Sequence, residues 1–239
     1  MRRLFVMLPA LDEANAVAQV ISGVPVDLLR KSGYETSIVI VDGGSTDGTQ
    51  EIAMRLGCEV IAQTSKGKGA GMRQGFKAFQ SGDYDTLVML DVDGTYDPGE
   101  IPILLKALEK HDLVIGDRLN GEMSEFAMTK MNWIGNHLLT WFAVSLYGVR
   151  INDLCTGYWA FTRKAIDRLQ LNSMRFEIEA EMYTSAVRRN LSIGQVPISY
   201  KPRKGFAKLG SVRDGTSIAR KLIIRRIFPV PIEEMNGGS

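Results

Sequence analysis

Leu87-Val88-Met89-Leu90-Asp91-Val92-Asp93-Gly94 is an apolar run that ends abruptly in two carboxylates one residue apart. Such a run suits a buried strand, and the glycine suits the turn that follows it. In an open α/β sheet, ligands bind beyond the carboxyl ends of the strands. Two hard oxygen donors at that place suit Mg²⁺ or Mn²⁺, which would take further oxygens from a substrate diphosphate. A solvated polar turn after a buried strand would carry the same residues, so the pair alone does not decide function. What the run establishes is an arrangement, a buried strand handing over to an acidic turn, and it occurs twice more upstream.

Ile38-Val39-Ile40-Val41 ends in Asp42, followed by Gly43-Gly44-Ser45-Thr46-Asp47-Gly48-Thr49. The glycines allow close approach of backbone to a ligand, and Asp42 can accept hydrogen bonds from a base or ribose. A plain strand-to-helix turn would need only Asp47, which with Gln50 resembles a capping box. Leu4–Leu8 runs into Pro9-Ala10-Leu11-Asp12-Glu13-Ala14-Asn15. Three strands therefore end in acidic or turn residues on one edge of a sheet. The glycine run does not fit G-x-x-x-x-G-K-[ST], and the first strand lacks G-x-G-x-x-G, which excludes a P-loop and disfavours a dehydrogenase. No G-x-G-T-R loop follows that strand, which disfavours a sugar-phosphate nucleotidyltransferase.

Outward from these turns, Glu59–Ala62 and Leu113–Ile115 read as further strands. Helical patterns lie near 14–30, 48–57, 70–80 and 98–110, with Pro98 in a first-turn position. The alternation predicts an α/β fold, a mostly parallel sheet with flanking helices. Beyond it, helices over 124–147 and 177–190, strands at 156–162 and Ile193–Tyr200, and a mobile basic loop at 201–215 are expected. One domain over 1–215 is expected, followed by a C-terminal basic helix and tail at 216–239. The chain has 239 residues, 45% hydrophobic and 23% charged, with a formal net charge of +2. That balance gives no general electrostatic case for nucleic acid. Cys58 and Cys155 have no metal-ligand spacing and read as reduced thiols of a cytoplasmic protein. No transmembrane segment is expected. Met131–Val149 lacks charge but includes Asn132, Asn136, His137, Thr140 and Ser145, so it reads as a buried or membrane-apposed helix.

Taken in order, Leu8–Glu13, Val41–Thr49, Lys66-Gly67-Lys68-Gly69 with Met72-Arg73-Gln74-Gly75, and Asp91–Gly94 resemble the motifs of family 2 glycosyltransferases with the GT-A fold. Ile115–Arg118, Asp153–Phe161, Phe176–Met182 and Val196–Arg203 are similar to the polyprenyl-phosphate hexose synthase branch. Met128–Asn136 is more similar to archaeal enzymes that charge dolichyl phosphate for N-glycosylation. The resemblance covers roughly residues 4–210. It implies an inverting transfer of a hexose from a nucleoside-diphosphate sugar to dolichyl or polyprenyl phosphate, with UDP-glucose or a UDP-N-acetylhexosamine favoured and GDP-mannose possible.

By position, the resemblance places Pro9, Ala10, Glu13, Asp42, Lys68, Arg73, Asp91 and Val92 at the nucleotide sugar, and Mg²⁺ or Mn²⁺ on Asp91 and Asp93. Arg118 would contact phosphate, and Arg203 and Lys208 would lie on a loop that closes over donor and acceptor. Asp153 and Glu179 are candidates to accept a proton or orient those arginines; a helix N-terminal turn also favours acids through its dipole. Two departures stand out. Thr95 replaces a frequent glutamine, and Thr156-Gly157-Tyr158-Trp159 lacks an expected arginine. Ile218, Ala219, Leu222 and Ile223 beside Arg220, Lys221, Arg225 and Arg226 suggest peripheral contact with the cytoplasmic face of a membrane. A family 2 transferase with a soluble acceptor and a non-catalytic nucleotide-sugar-binding protein are the competing readings.

Overall fold

A computed structural model of the chain describes residues 1–204 and 211–229. Among the described residues the strands are β1 (Arg2–Ala10), β2 (Tyr34–Asp42), β3 (Glu59–Ala62), β4 (Thr86–Met89), β5 (Leu113–Asp117), β6 (Trp159–Thr162) and β7 (Ile193–Pro197). They form one sheet in the order β3-β2-β1-β4-β6-β5-β7. All run parallel except β6, which is antiparallel to both of its neighbours. β1 lies between β2 and β4, with Ala10 level with Asp42 and Met7 level with Met89. The three acidic turns therefore meet on one edge, as the sequence predicts.

Alternation along β1 explains the layers, because successive side chains point to opposite faces. Leu4, Val6 and Leu8 pack with residues of α1 (Ala14–Gly23), α2 (Val26–Lys31), α3 (Thr49–Arg55) and α5 (Ile101–Leu108). Phe5 and Met7 pack on the other face, with residues of α4 (Lys68–Ser81), α6 (Lys130–Tyr147), α7 (Arg163–Arg168), α8 (Ile178–Arg188) and α9 (Ser211–Ile227). A sheet covered on both sides needs apolar residues in both phases, hence the unbroken apolar runs.

Local chemistry accounts for most differences from expectation. The helix expected over 14–30 breaks before Pro25, which precedes α2. A proline inside a helix removes a donor and clashes with the preceding turn. α3, after β2, has no capping box: Gly48 holds its N-cap at φ 95°, while Gln50 Nε2 donates to Asp42 Oδ2 at 2.6 Å. α6 begins at Lys130, not near 124, because the Thr129 side chain accepts from the Asn132 N–H, and it ends at Gly148 with φ 74°. α7 was not anticipated; Thr162 caps it in the same way.

The C-terminal helix departs most from expectation. Ile218 and Leu222 of α9 are buried in the core, so half of the stripe expected to face a membrane is turned inward, while Ile223 stays exposed. Arg225 and Lys221 turn inward too. Arg225 Nε donates to Glu181 Oε1 at 2.7 Å, and Lys221 Nζ lies 3.6 Å from the same oxygen. Glu181 Oε2 accepts the backbone N–H groups of Asn172 and Ser173, so the carboxylate is saturated and fully buried. Among the described residues no helix is long and apolar enough to cross a membrane.

Burial raises the Glu181 pKa, but Lys221, the Ser173 N–H and Arg225 outweigh it and hold the carboxyl below its ordinary range. A depressed folded pKa stabilises at neutral pH, and that stabilisation is lost as pH falls through it. Arg225→Met should strand the buried carboxylate and cost about 3–5 kcal/mol in urea unfolding at pH 7. The variant's stability should also fall less steeply on acidification than the parent's. An acid limb of unchanged slope in stepped-pH urea titrations would contradict the pairing.

Candidate active site

The turns after β1 and β2 are latched to each other. Thr46 N–H donates to Asp12 Oδ1 at 2.8 Å, and Asp12 N–H donates to Ser45 Oγ at 2.8 Å. Glu13 N–H donates to Thr49 Oγ1 and Ala14 N–H to Asp47 Oδ2, each at 2.9 Å. Asp12 adopts φ 48° to make this exchange. Asp42 is fully buried and spends its carboxylate within its own turn, on Gly44 N–H, Ser45 N–H, Ser45 Oγ and Gln50. Its structural work is therefore to shape the glycine loop. Gly43 N–H donates to Ala10 O at 2.8 Å, which fixes Pro9 and Ala10 beside that loop.

Next to this pair stands the turn after β4, where charges concentrate. Lys68, the first residue of α4, places Nζ 2.8 Å from Asp91 Oδ1, 3.0 Å from Asp91 Oδ2 and 2.8 Å from Glu179 Oε1. Arg203 grips Asp93 through both Nε, at 2.8 Å, and Nη2. Thr95 donates to Asp93 Oδ1 from its hydroxyl at 2.6 Å and from its N–H at 3.0 Å. Burial is the largest influence on each of these groups, and the partners decide where the proton sits. Burial disfavours the Lys68 charge, but Asp91 and Glu179 together raise its pKa. Burial would raise Asp93, but Arg203 and Thr95 lower it. For Glu179 burial prevails, aided by the Asp91 charge and opposed by Lys68, so its pKa is raised.

The segment 201–204 is docked against this turn. Lys201 N–H donates to Thr95 O and Lys204 N–H to Asp93 O, each at 2.9 Å, and Lys201 Nζ pairs with Asp97 at 2.8 Å. These bonds hold the near end of the basic loop in place, whereas Lys208 lies outside the described residues. Beneath the turn, Arg118 and Asp153 form a buried two-pronged pair at 2.7 and 2.8 Å. The guanidinium lies 5.1 Å from the centre of the Tyr200 ring. Tyr200 packs on Tyr96, whose hydroxyl accepts the Gly157 N–H at 2.6 Å.

The structure thus gathers Asp91, Asp93, Lys68, Glu179 and Arg203 into one cluster, with Arg118 and Asp153 as a buried pair below it. Glu13 is buried and contributes to holding the Arg203 charge. Val92 sits in the core, leaving its backbone as the part that could face a ligand. Arg73 reaches the sulfur of Met174 at 3.5 Å. Sequence reasoning missed Gly157, whose position against Asp91 leaves no room for a side chain. It also missed that Trp159, standing where an arginine was expected, belongs to the core, stacked on Phe161. That placement is legible in the continuous apolar run Trp159-Ala160-Phe161, which suits a strand buried on both faces.

Comparisons with known proteins bear on the family and the fold. The family model for glycosyl transferase family 2 matches residues 5–170. Glycosyltransferase AglJ of Haloferax volcanii is 35% identical over 223 residues, covering 92% of this chain and 71% of that protein. The dolichyl-phosphate hexose transferase of the same organism is 28% identical over 221 residues, covering 92% of each. Among solved structures, glucosyl-3-phosphoglycerate synthase from Mycobacterium tuberculosis, in complex with Mn²⁺, uridine diphosphate and glucosyl-3-phosphoglycerate, aligns with a TM-score of 0.67. That alignment covers 96% of this chain and 81% of the other at 21% identity, and it shows the GT-A fold.

A Cβ on Gly157 would fall inside van der Waals contact with the Asp91 carboxylate. Asp91 could yield only by loosening Lys68. Gly157→Ala should therefore cost about 1–3 kcal/mol, the usual range for overpacking. In an Asp91→Ala background the cost should nearly vanish. Denaturant unfolding of the two single variants and the double variant checks this, and strict additivity would refute the contact.

Proposed function

The chain belongs to glycosyltransferase family 2, and on that premise we propose that it transfers a hexose, with inversion, from a nucleoside-diphosphate sugar to dolichyl or polyprenyl phosphate. The observation that carries this reading is the cluster of Asp91, Asp93 and Glu179 with Lys68 and Arg203 at the carboxyl edge of the sheet. A dolichyl-phosphate hexose transferase aligned over 92% of the chain supports the lipid acceptor. UDP-glucose or a UDP-N-acetylhexosamine is favoured over GDP-mannose because Met128–Asn136 is similar to the archaeal enzymes of N-glycosylation.

Asp91 and Asp93 fit Mg²⁺ or Mn²⁺ as a pair of hard carboxylate donors. No larger group of ligating side chains surrounds them among the described residues, so substrate oxygens would complete the shell. When bound, such a cation supplies neutralisation of the departing diphosphate. The rest falls to the chain. A phosphomonoester acceptor is already an anion near neutral pH, with a second pKa around 6, so no strong general base is needed. Arg203, on the segment docked to the acidic turn, would orient phosphate oxygens with its planar fork. Asp153 would hold Arg118 rigid under the reacting groups, and Lys208 would extend the clamp.

Peripheral membrane contact moves from α9 to α6. Met131, Ile134, Leu138 and Trp141, spaced by three and four residues, are 51–71% exposed along one stripe. Phe126 stands just ahead at 87% exposure, and Met128, Lys130, Trp133 and Ile134 line a groove of about 400 Å³. Contiguous apolar exposure of this kind marks an interaction surface. α9 packs beside α6 and leaves Arg220 and Arg226 exposed, cations suited to anionic headgroups. Ser124, just before α6, is bonded to Tyr200, so the stripe leads towards the Arg203 segment.

Incubation with radiolabelled UDP-sugars, Mn²⁺ and dolichyl phosphate should give a lipid-extractable product, β-linked by NMR from an α-linked donor. Asp93→Asn should lower turnover by at least about 100-fold, as removal of transition-state charge stabilisation does. Near-parental turnover in that variant would refute the assignment of Asp93.

Leu138→Glu with Trp141→Glu should abolish sedimentation with anionic vesicles while leaving nucleotide binding and circular dichroism unchanged. Equal sedimentation of variant and parent would remove α6 from the membrane contact.

A further inference from the structure

The Lys68 ammonium stands where three carboxylate oxygens converge, two from Asp91 and one from Glu179, all at 2.8–3.0 Å. Its backbone is held as firmly as its head. Gly67 adopts φ 108°, Gly67 and Gly69 are pressed against the backbone of Ser173–Arg175, and Ala70 N–H donates to Met174 O at 3.1 Å. Arg203 caps the other member of the pair, Asp93. Each carboxylate of Asp91-Val92-Asp93 is thus neutralised by a cation of the chain itself. Those same oxygens are the ones a divalent cation would need.

We infer that Lys68 is an exchangeable counter-ion: it yields Asp91 to a divalent cation only when an incoming diphosphate offers the ammonium a new anionic partner. The inference rests on the nucleotide-sugar reading above. Asp91, Asp93 and Glu179 against Lys68 and Arg203 leave one net negative charge. A bare divalent cation would turn that into a net positive charge and would leave the buried ammonium with Glu179 as its one remaining carboxylate partner, which is costly. A divalent cation arriving with a diphosphate is close to neutral as a unit. Its phosphate oxygens replace, for the ammonium, the contacts that Asp91 gives up. Metal and nucleotide therefore bind cooperatively, and the coupling resides in one lysine. Lys68 acts here as a positioning residue, setting the order of assembly.

Titration of free Mn²⁺ by electron paramagnetic resonance, with and without UDP or GDP, tests this without any turnover. The parent should bind Mn²⁺ weakly alone and far more tightly with one of the nucleotides. Lys68→Met should bind Mn²⁺ alone at least about tenfold more tightly than the parent, since each 1.4 kcal/mol of relieved competition is a factor of ten, and should gain little from nucleotide. Lys68→Arg, which keeps a cation in the cradle, should behave like the parent. Should Lys68→Met fail to fold, Lys68→Met with Glu179→Gln removes the ammonium together with its second carboxylate, and the same gain is expected. Unchanged or weaker Mn²⁺ affinity in the folded variant overturns the exchange while leaving the donor reading intact. A parent that binds no Mn²⁺ even with UDP or GDP overturns both.

Discussion

A lysine ammonium and an arginine guanidinium, largely withdrawn from water, hold three carboxylates at the edge of the sheet. Charges so placed are tolerated only when paired and hydrogen-bonded, and much of the surrounding architecture can be understood as meeting that demand. Lys68 comes from the start of α4, Glu179 from the first turn of α8, Asp91 from the turn after β4 and Arg203 from the segment beyond β7. These four elements are far apart in sequence. Close backbone contact brings them together: Gly67 and Gly69 against Ser173–Arg175, Gly157 against Asp91, and 201–204 along 93–95. The glycines stand where any side chain would push the charges apart.

How much of this can be read in sequence follows the range of the interaction. β1, β2 and β4 are apolar runs with local turn signals, and their order in a parallel sheet follows from alternation with helices. The Asp91–Asp93 pair is likewise a local pattern. Which cation meets which carboxylate is not, because Lys68 and Glu179 are 111 positions apart by number and neither carries a mark that selects the other. Gln50 illustrates the same limit at short range: its spacing from Asp47 suggests a capping box, yet its amide answers the buried Asp42 instead. A buried carboxylate with acceptor capacity to spare outcompetes a cap where Gly48 already sets the helix start by its conformation.

The two helices of the second half show how a helical pattern can mislead about which face is wet. α9 has basic and apolar residues at spacings typical of a membrane-surface helix. Glu181, fully buried in α8, draws Arg225 and Lys221 inward, and Ile218 and Leu222 follow into the core. α6, with no acidic residue and one lysine over Lys130–Tyr147, gives the core only Thr140 and Ala143 as fully buried residues. The apolar residues left outside, Met131, Ile134, Leu138 and Trp141, are too many for an ordinary solvated helix. The deciding information sits on a third helix, in a single glutamate.

Asp153 and Glu179, the candidate acids for proton transfer, are both committed to cations. Asp153 is held by two guanidinium N–H groups of Arg118, and Glu179 is held by Lys68. Burial raises the Glu179 pKa, yet any proton it accepted would cost its bond to the ammonium. For an acceptor hydroxyl, which must lose a proton to become a good nucleophile, that commitment would be a handicap. A phosphate monoester arrives ionised and asks only for positive charge. Arg203 and Lys68 have positive charge to give, provided their carboxylates are satisfied by something else. On this reading counter-ions would exchange: Asp91 and Asp93 would hold a divalent cation that neutralises the diphosphate, and Lys68 and Arg203 would turn to phosphate oxygens. Proton transfer has no group assigned to it, and with this acceptor it needs none.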